Sequence, residues 1–117
     1  MEGIGAQTPL MDAAHYEAMK DALGGDFSSL VGDFFDDCPR FCSGLESLAA
    51  AGDADGFREL SHELKGTSSM LGFSGISRCA AEWEMMAKEG EVPASDCVGE
   101  RLTLLVEDTR KQVAGLR

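Results

Sequence analysis

Apolar residues recur at three- and four-residue steps through most of this chain. The longest series is Phe27, Leu30, Val31, Phe34, Cys38, Phe41, Cys42, Leu45, Leu48 and Ala49, which paints one face of a helix. Pro39 falls inside it, but the apolar phase continues across the proline, so the pattern predicts one long kinked helix. Before it, Thr8-Pro9 leads into a first helix from Met11 to Leu23, ended by Gly24-Gly25, with Asp26 placed to cap the second. Gly52 closes the long helix and Asp53 caps a third, running to about Leu71, where Gly72 supplies a left-handed turn. Ser74 is placed to cap a fourth helix with Ile76, Cys79, Ala80, Trp83, Met86 and Ala87 on one face. After Gly90 and Pro93, a fifth from Ser95 to Gly115 buries Val98, Leu102, Leu105, Val106, Thr109 and Val113. No segment alternates as a strand does.

The predicted fold is all-α: an antiparallel four-helix bundle with an additional short N-terminal helix across one end. Residues 10–117 form this one domain, and the Gly-rich stretch at 1–9 reads as a flexible tail. A chain of 117 residues, 44% hydrophobic and 26% charged, has the composition of a globular domain. Its net charge of −11 argues against nucleic acid and anionic membrane surfaces as partners. No apolar run approaches the roughly 18–20 residues of a membrane span, and no secretory signal opens the chain. The expectation is a cytoplasmic protein, with Met1 and the single domain favouring a free-standing one. No surplus apolar stripe is left over, so a monomer is expected. Without a signal, Cys38, Cys42, Cys79 and Cys97 read as free buried thiols.

The third helix carries the chemistry. With 100° per residue, Phe57, Leu60, Leu64 and Leu71 lie on one side, while Arg58, Lys65, Gly66 and Ser69 share the opposite side with His62. An imidazole thus points to solvent with cations a turn before and after it. Gly66 costs about 1 kcal/mol relative to alanine in a helix interior. On the outward face nothing inside the bundle explains it, but it gives an external partner room beside the imidazole. Lys65 is placed to screen a phosphoryl group on His62, Ser69 to donate a hydrogen bond there, and Arg58 to add positive charge.

The motif His62-x-Leu64-Lys65-Gly66-x-Ser68-Ser69-x-Leu71-Gly72 resembles the signature of histidine-containing phosphotransfer (HPt) domains. Helix lengths, the proline in the second long helix and the Gly-Asp turn before the motif extend the similarity over about residues 10–115. The resemblance implies that His62 is the phosphoacceptor, taking a phosphoryl group from a response-regulator receiver aspartate and passing it to another receiver. A hybrid histidine kinase is the typical source. Lys65 would neutralise the phosphate, Gly66 give access, Ser69 contact the imidazole or the partner, with Ser68 able to share that role. Gly72 would cap the helix. The chain itself needs no cofactor: magnesium would belong to the receiver. Nothing resembles an ATP-binding kinase domain. Receiver docking would draw on the first two helices, where Met11, His15, Met19 and Phe35 are candidates beside Arg58 and Ser68, although the same four positions also read as core.

Three other readings compete. Cys38 and Cys42, at i and i+4, could ligate a metal, but both are in phase with the core and lack further ligands. A helical interaction module related to HPt domains would bind a receiver or kinase without phosphotransfer; the presence of His62, Lys65 and Gly66 together favours activity. A hydrolytic site needs a pocket and a partner carboxylate or nucleophile. A convex helix face offers neither.

Overall fold

A computed structural model describes residues 9–116, and the tail reading for residues 1–8 lies outside them. Five helices follow in order: α1 (Ala13–Leu23), α2 (Gly25–Ala51), α3 (Ala54–Met70), α4 (Ser74–Lys88) and α5 (Ser95–Gly115). No strand occurs among the described residues.

The second helix runs unbroken through Pro39, which lies on its exposed side. There the ring meets water and not a neighbouring helix. Its inner face buries Phe27, Val31, Phe34, Phe35, Cys38, Phe41, Leu45 and Ala49. Cross-helix neighbours fix the directions. Arg40 meets Glu63, Gly44 faces Leu60, and Gly56 faces Leu48, so α2 and α3 run antiparallel. Phe35 under Arg110, Cys42 beside Thr103, and Glu46 against Gly99 make α2 and α5 antiparallel as well. With α3 packed on α4, and α4 on α5, the four long helices close into a bundle.

Three helix starts differ from the expectation. Helix α1 starts at Ala13, because the Asp12 carboxylate accepts from the His15 N–H and so acts as the N-cap. Asp26 does not cap α2; Gly24 takes that position and Asp26 sits in the first turn, where its charge suits the helix dipole. Ser74 is already helical and Phe73 is the N-cap, with no side-chain bond. Instead the Leu10 carbonyl accepts from the Gly75 N–H at 3.1 Å, so the incoming N-terminal segment satisfies the start of α4. Asp53 caps α3 as expected, accepting from Gly56 N–H at 2.9 Å.

The N-terminal helix lies across the end of the bundle where α3 turns into α4. The Asp12 N–H donates to the Gly72 carbonyl at 2.8 Å, and Tyr16 packs edge-on to Phe27 and beside Phe73. Gly72 has φ 80°, and a Cβ there would sit 3.0 Å from the Asp12 carbonyl oxygen and 3.1 Å from the Tyr16 nitrogen. Only glycine suits both the left-handed turn and this close approach.

All four cysteines are free; Cys38 and Cys79 are buried, Cys42 is half-buried, and Cys97 is exposed, contrary to the expectation of four buried thiols. Burial pushes the Cys38 and Cys79 thiols up to about 12. Leu60, Met86 and Leu105, expected in the core, are only partly buried against it.

Candidate functional site

The buried face of α3 is Phe57, Ser61, Leu64 and Ser68, which turns His62, Gly66 and Ser69 outward. The His62 side chain is 68% exposed. A Cβ built on Gly66 would meet nothing within 4 Å. Internal packing therefore gives no reason for glycine at that position, and the surface beside the imidazole is open.

The organising residue of the site is Glu84, which the sequence reading did not single out. It projects from α4 into the α3–α4 groove with its side chain 7% exposed. A carboxylate so buried needs compensating partners, and it has them. Glu84 Oε2 lies 2.9 Å from His62 Nδ1, and Glu84 Oε1 lies 2.6 Å from Lys65 Nζ. Lys88, one turn along α4, has its Nζ 3.9 Å from Oε2. The hydrogen bond from Lys65 is the main influence holding the Glu84 carboxyl below its ordinary value; burial opposes it, and the His62 bond adds to it. An ionised carboxylate only accepts, so His62 Nδ1 donates its N–H to Oε2. The lone pair is left on Nε2, on the exposed imidazole.

The signal for Glu84 was present in the sequence. Ala80, Trp83, Glu84 and Ala87 occupy i, i+3, i+4 and i+7 of one apolar stripe, and all four are buried. A charged residue inside such a stripe requires a cation from a neighbouring helix.

Lys65 has the electrostatic position expected of it, but in this state its ammonium binds Glu84. Ser69 is exposed and makes no hydrogen bond to the imidazole among the described residues; it borders an open cleft of about 470 Å³ shared with His15, Ser77 and Arg78. Arg58 is half-buried and enters no ion pair among the described residues. Glu63, next to His62 in sequence, is drawn away to α2 by Arg40, which also clamps Asp37 with two hydrogen bonds. That clamp holds the Asp37 carboxyl below its ordinary value.

The docking expectations fare unevenly. Ser68 is fully buried and donates to the Leu64 carbonyl at 2.6 Å, so no partner can reach it. Its phase, one turn beyond Leu64, puts it on the core side. Met11 is buried at 8% exposure, and Phe35 likewise lies in the core, stacked on Phe73 and covered by Arg110 of α5. Neither offers a docking surface. His15 is committed to the fold, its Nε2 2.8 Å from the Met70 carbonyl, where it caps the end of α3. Met19 is half-buried against the core.

Among the described residues, no group of three or more His, Cys, Asp or Glu side chains is placed to hold a metal ion. Nor is any helix long and apolar enough to cross a membrane.

The family model described as "Hpt domain" matches residues 29–112, a span that takes in α3, α4 and the whole His62–Glu84 site. The chain belongs to the Hpt domain family. No curated protein and no solved structure matches it. Hpt domains take part in two-component phosphorelays and interact with response-regulator receivers and kinases, and the candidate site of this Hpt domain is an exposed imidazole backed by a buried carboxylate.

Proposed function

We propose that this Hpt domain is an active phosphorelay intermediate with His62 as its phosphoacceptor. The observation that carries the reading is the 2.9 Å contact between His62 Nδ1 and Glu84 Oε2. It fixes the tautomer in which Nε2 is the nucleophile and holds the ring in one orientation.

The chemistry follows from that geometry. The Nε2 lone pair attacks the phosphorus of a receiver's aspartyl phosphate; a phosphorus–nitrogen bond forms, the phosphorus–oxygen bond breaks, and the aspartate carboxylate leaves with the electron pair. Nδ1 keeps its proton, so the ring becomes a phosphoimidazolium whose positive charge faces Glu84. Transfer to a second receiver's aspartate reverses these steps. Little covalent work falls to the protein; positioning and charge do most of it. Lys65 lies where it can turn from Glu84 to the phosphoryl oxygens, and Gly66 leaves room for the receiver's active site. The donor is the receiver of a hybrid histidine kinase, and magnesium is supplied by the receiver.

Incubation with a phosphorylated receiver tests this. Wild-type protein is expected to gain acid-labile, alkali-stable phosphate, and His62→Gln to gain none. His15 remains in that variant as the internal control. Label that persists in His62→Gln refutes the assignment, whereas a wild type that binds the receiver without taking label would leave an interaction module.

A further inference from the structure

Glu84 carries more positive charge around it than one carboxylate requires. Lys65 bonds Oε1 at 2.6 Å and His62 Nδ1 bonds Oε2 at 2.9 Å, so both oxygens are already satisfied. Lys88 stands off at 3.9 Å from Oε2, beyond hydrogen-bond distance. Its side chain is 57% exposed, and it forms no other ion pair among the described residues. The ammonium is attracted to the site without being bound in it.

Position gives this surplus a use. Lys88 Nζ and His62 Nδ1 both lie within 4 Å of the same Glu84 oxygen, so the ammonium and the imidazole are neighbours of one atom in the α3–α4 groove. A lysine stem is flexible, and its charge can be redirected at small cost. A phosphoryl group brings up to about two negative charges to the site. Lys65 must then serve two anions at once, while Lys88 breaks no hydrogen bond in moving.

We propose that Lys88 is a second cation for the phosphoryl group, idle beside Glu84 until His62 is modified and then turned to the phosphoryl oxygens. The inference rests on His62 being the phosphoacceptor. Lys88 thereby stabilises the phosphorylated state and lengthens its lifetime.

The experiment uses phosphoramidate as a small phosphoryl donor, so no receiver docking is involved. Its phosphorus–nitrogen bond breaks, the phosphorus joins His62 Nε2, and ammonia leaves with the electron pair. After the donor is removed, water attacks phosphorus, Nε2 recovers its lone pair and inorganic phosphate is released; phosphorus NMR follows the decay. The half-life in Lys88→Gln is expected to fall about fivefold, the scale of one exposed ion pair, and Lys88→Arg to restore it. The difference should shrink with added salt, which a purely structural role would not produce. A half-life in Lys88→Gln equal to or longer than that of the wild type overturns the proposal while leaving His62 in place. A wild type that takes no phosphoryl group, or His62→Gln labelled to the same extent, overturns the phosphoacceptor reading and this inference with it.

Discussion

Lys65 and His62, one turn apart on α3, converge on the two oxygens of a single carboxylate, Glu84 of α4, at 2.6 Å and 2.9 Å. The proposed phosphoacceptor and the lysine one turn along are thus set by one residue across the groove. Replacing Glu84 with Gln keeps the size and a hydrogen-bonding oxygen but removes the charge facing the imidazolium. We expect phosphoryl transfer through His62 to slow about tenfold, or ~1.4 kcal/mol, the gap between a charge-assisted and a neutral hydrogen bond. Stopped-flow or rapid-quench transfer from a phosphorylated receiver measures it. An unchanged rate would remove Glu84 from the mechanism.

The same carboxylate makes folding sensitive to acid. Its folded-state pKa lies below the ordinary glutamate value, chiefly through the Lys65 hydrogen bond. A depressed carboxylate contributes fully above its unfolded-state value and loses that contribution as pH falls through the folded one. At neutral pH the wild type should exceed Glu84→Gln by about 1 kcal/mol, allowing for the partial exposure of Lys65. Urea unfolding from about pH 6 down to about pH 3 should show this gap closing. A gap that is constant or widens in acid contradicts the assignment.

Much of this arrangement was legible in the sequence, and most of what was not depends on contacts between helices. The α2 stripe from Phe27 to Ala49 carried its phase through Pro39, because core spacing outlasts the loss of one backbone hydrogen bond. The Gly52–Asp53 turn and the outward phase of His62 and Gly66 are equally local, and the structure has both. The burial of Glu84 is legible in the stripe of its own helix, but its partners are not: Lys65 meets it only once the register of α3 against α4 is known, and periodicity within one helix does not supply that register. Ser74 lost its cap for the same kind of reason, since the competing acceptor is the Leu10 carbonyl, remote in sequence. Ser68 was misplaced on the docking side although its own phase pointed inward. Ser61, also in phase with the core, is fully buried with its hydroxyl unpartnered.

Gly66 separates docking from chemistry. A Cβ at this outward position meets nothing within 4 Å, so Gly66→Leu should be no less stable than the wild type and gain up to about 1 kcal/mol from helix propensity. Its reaction with phosphoramidate should stay within about twofold of the wild type, while transfer from a phosphorylated receiver falls at least about tenfold, since ~1.4 kcal/mol of lost docking suffices. The two donors assayed on one preparation check this. Equal effects on both donors would show that the side chain disturbs the imidazole and not the receiver.

Gly72 couples the end of α3 to the N-terminal helix, and its replacement should be costly in stability. At φ 80°, an alanine bears the left-handed penalty of about 1–2 kcal/mol. Its Cβ would also press on the Asp12 carbonyl oxygen at 3.0 Å and the Tyr16 nitrogen at 3.1 Å. Both are backbone atoms, held by the bond from Asp12 N–H to the Gly72 carbonyl and by the first turn of α1, so neither yields as a side-chain tip would. The expected loss for Gly72→Ala is about 2–3 kcal/mol, measured by urea unfolding. Hydrogen exchange should locate the weakening in α1 and the α3–α4 turn before the α2–α5 core. His62 and Glu84 lie about two turns or more from this junction, so the surviving folded fraction should still accept phosphate from phosphoramidate. A loss below about 0.5 kcal/mol would mean that α1 moves aside freely and that its hydrogen bonds to the turn contribute little.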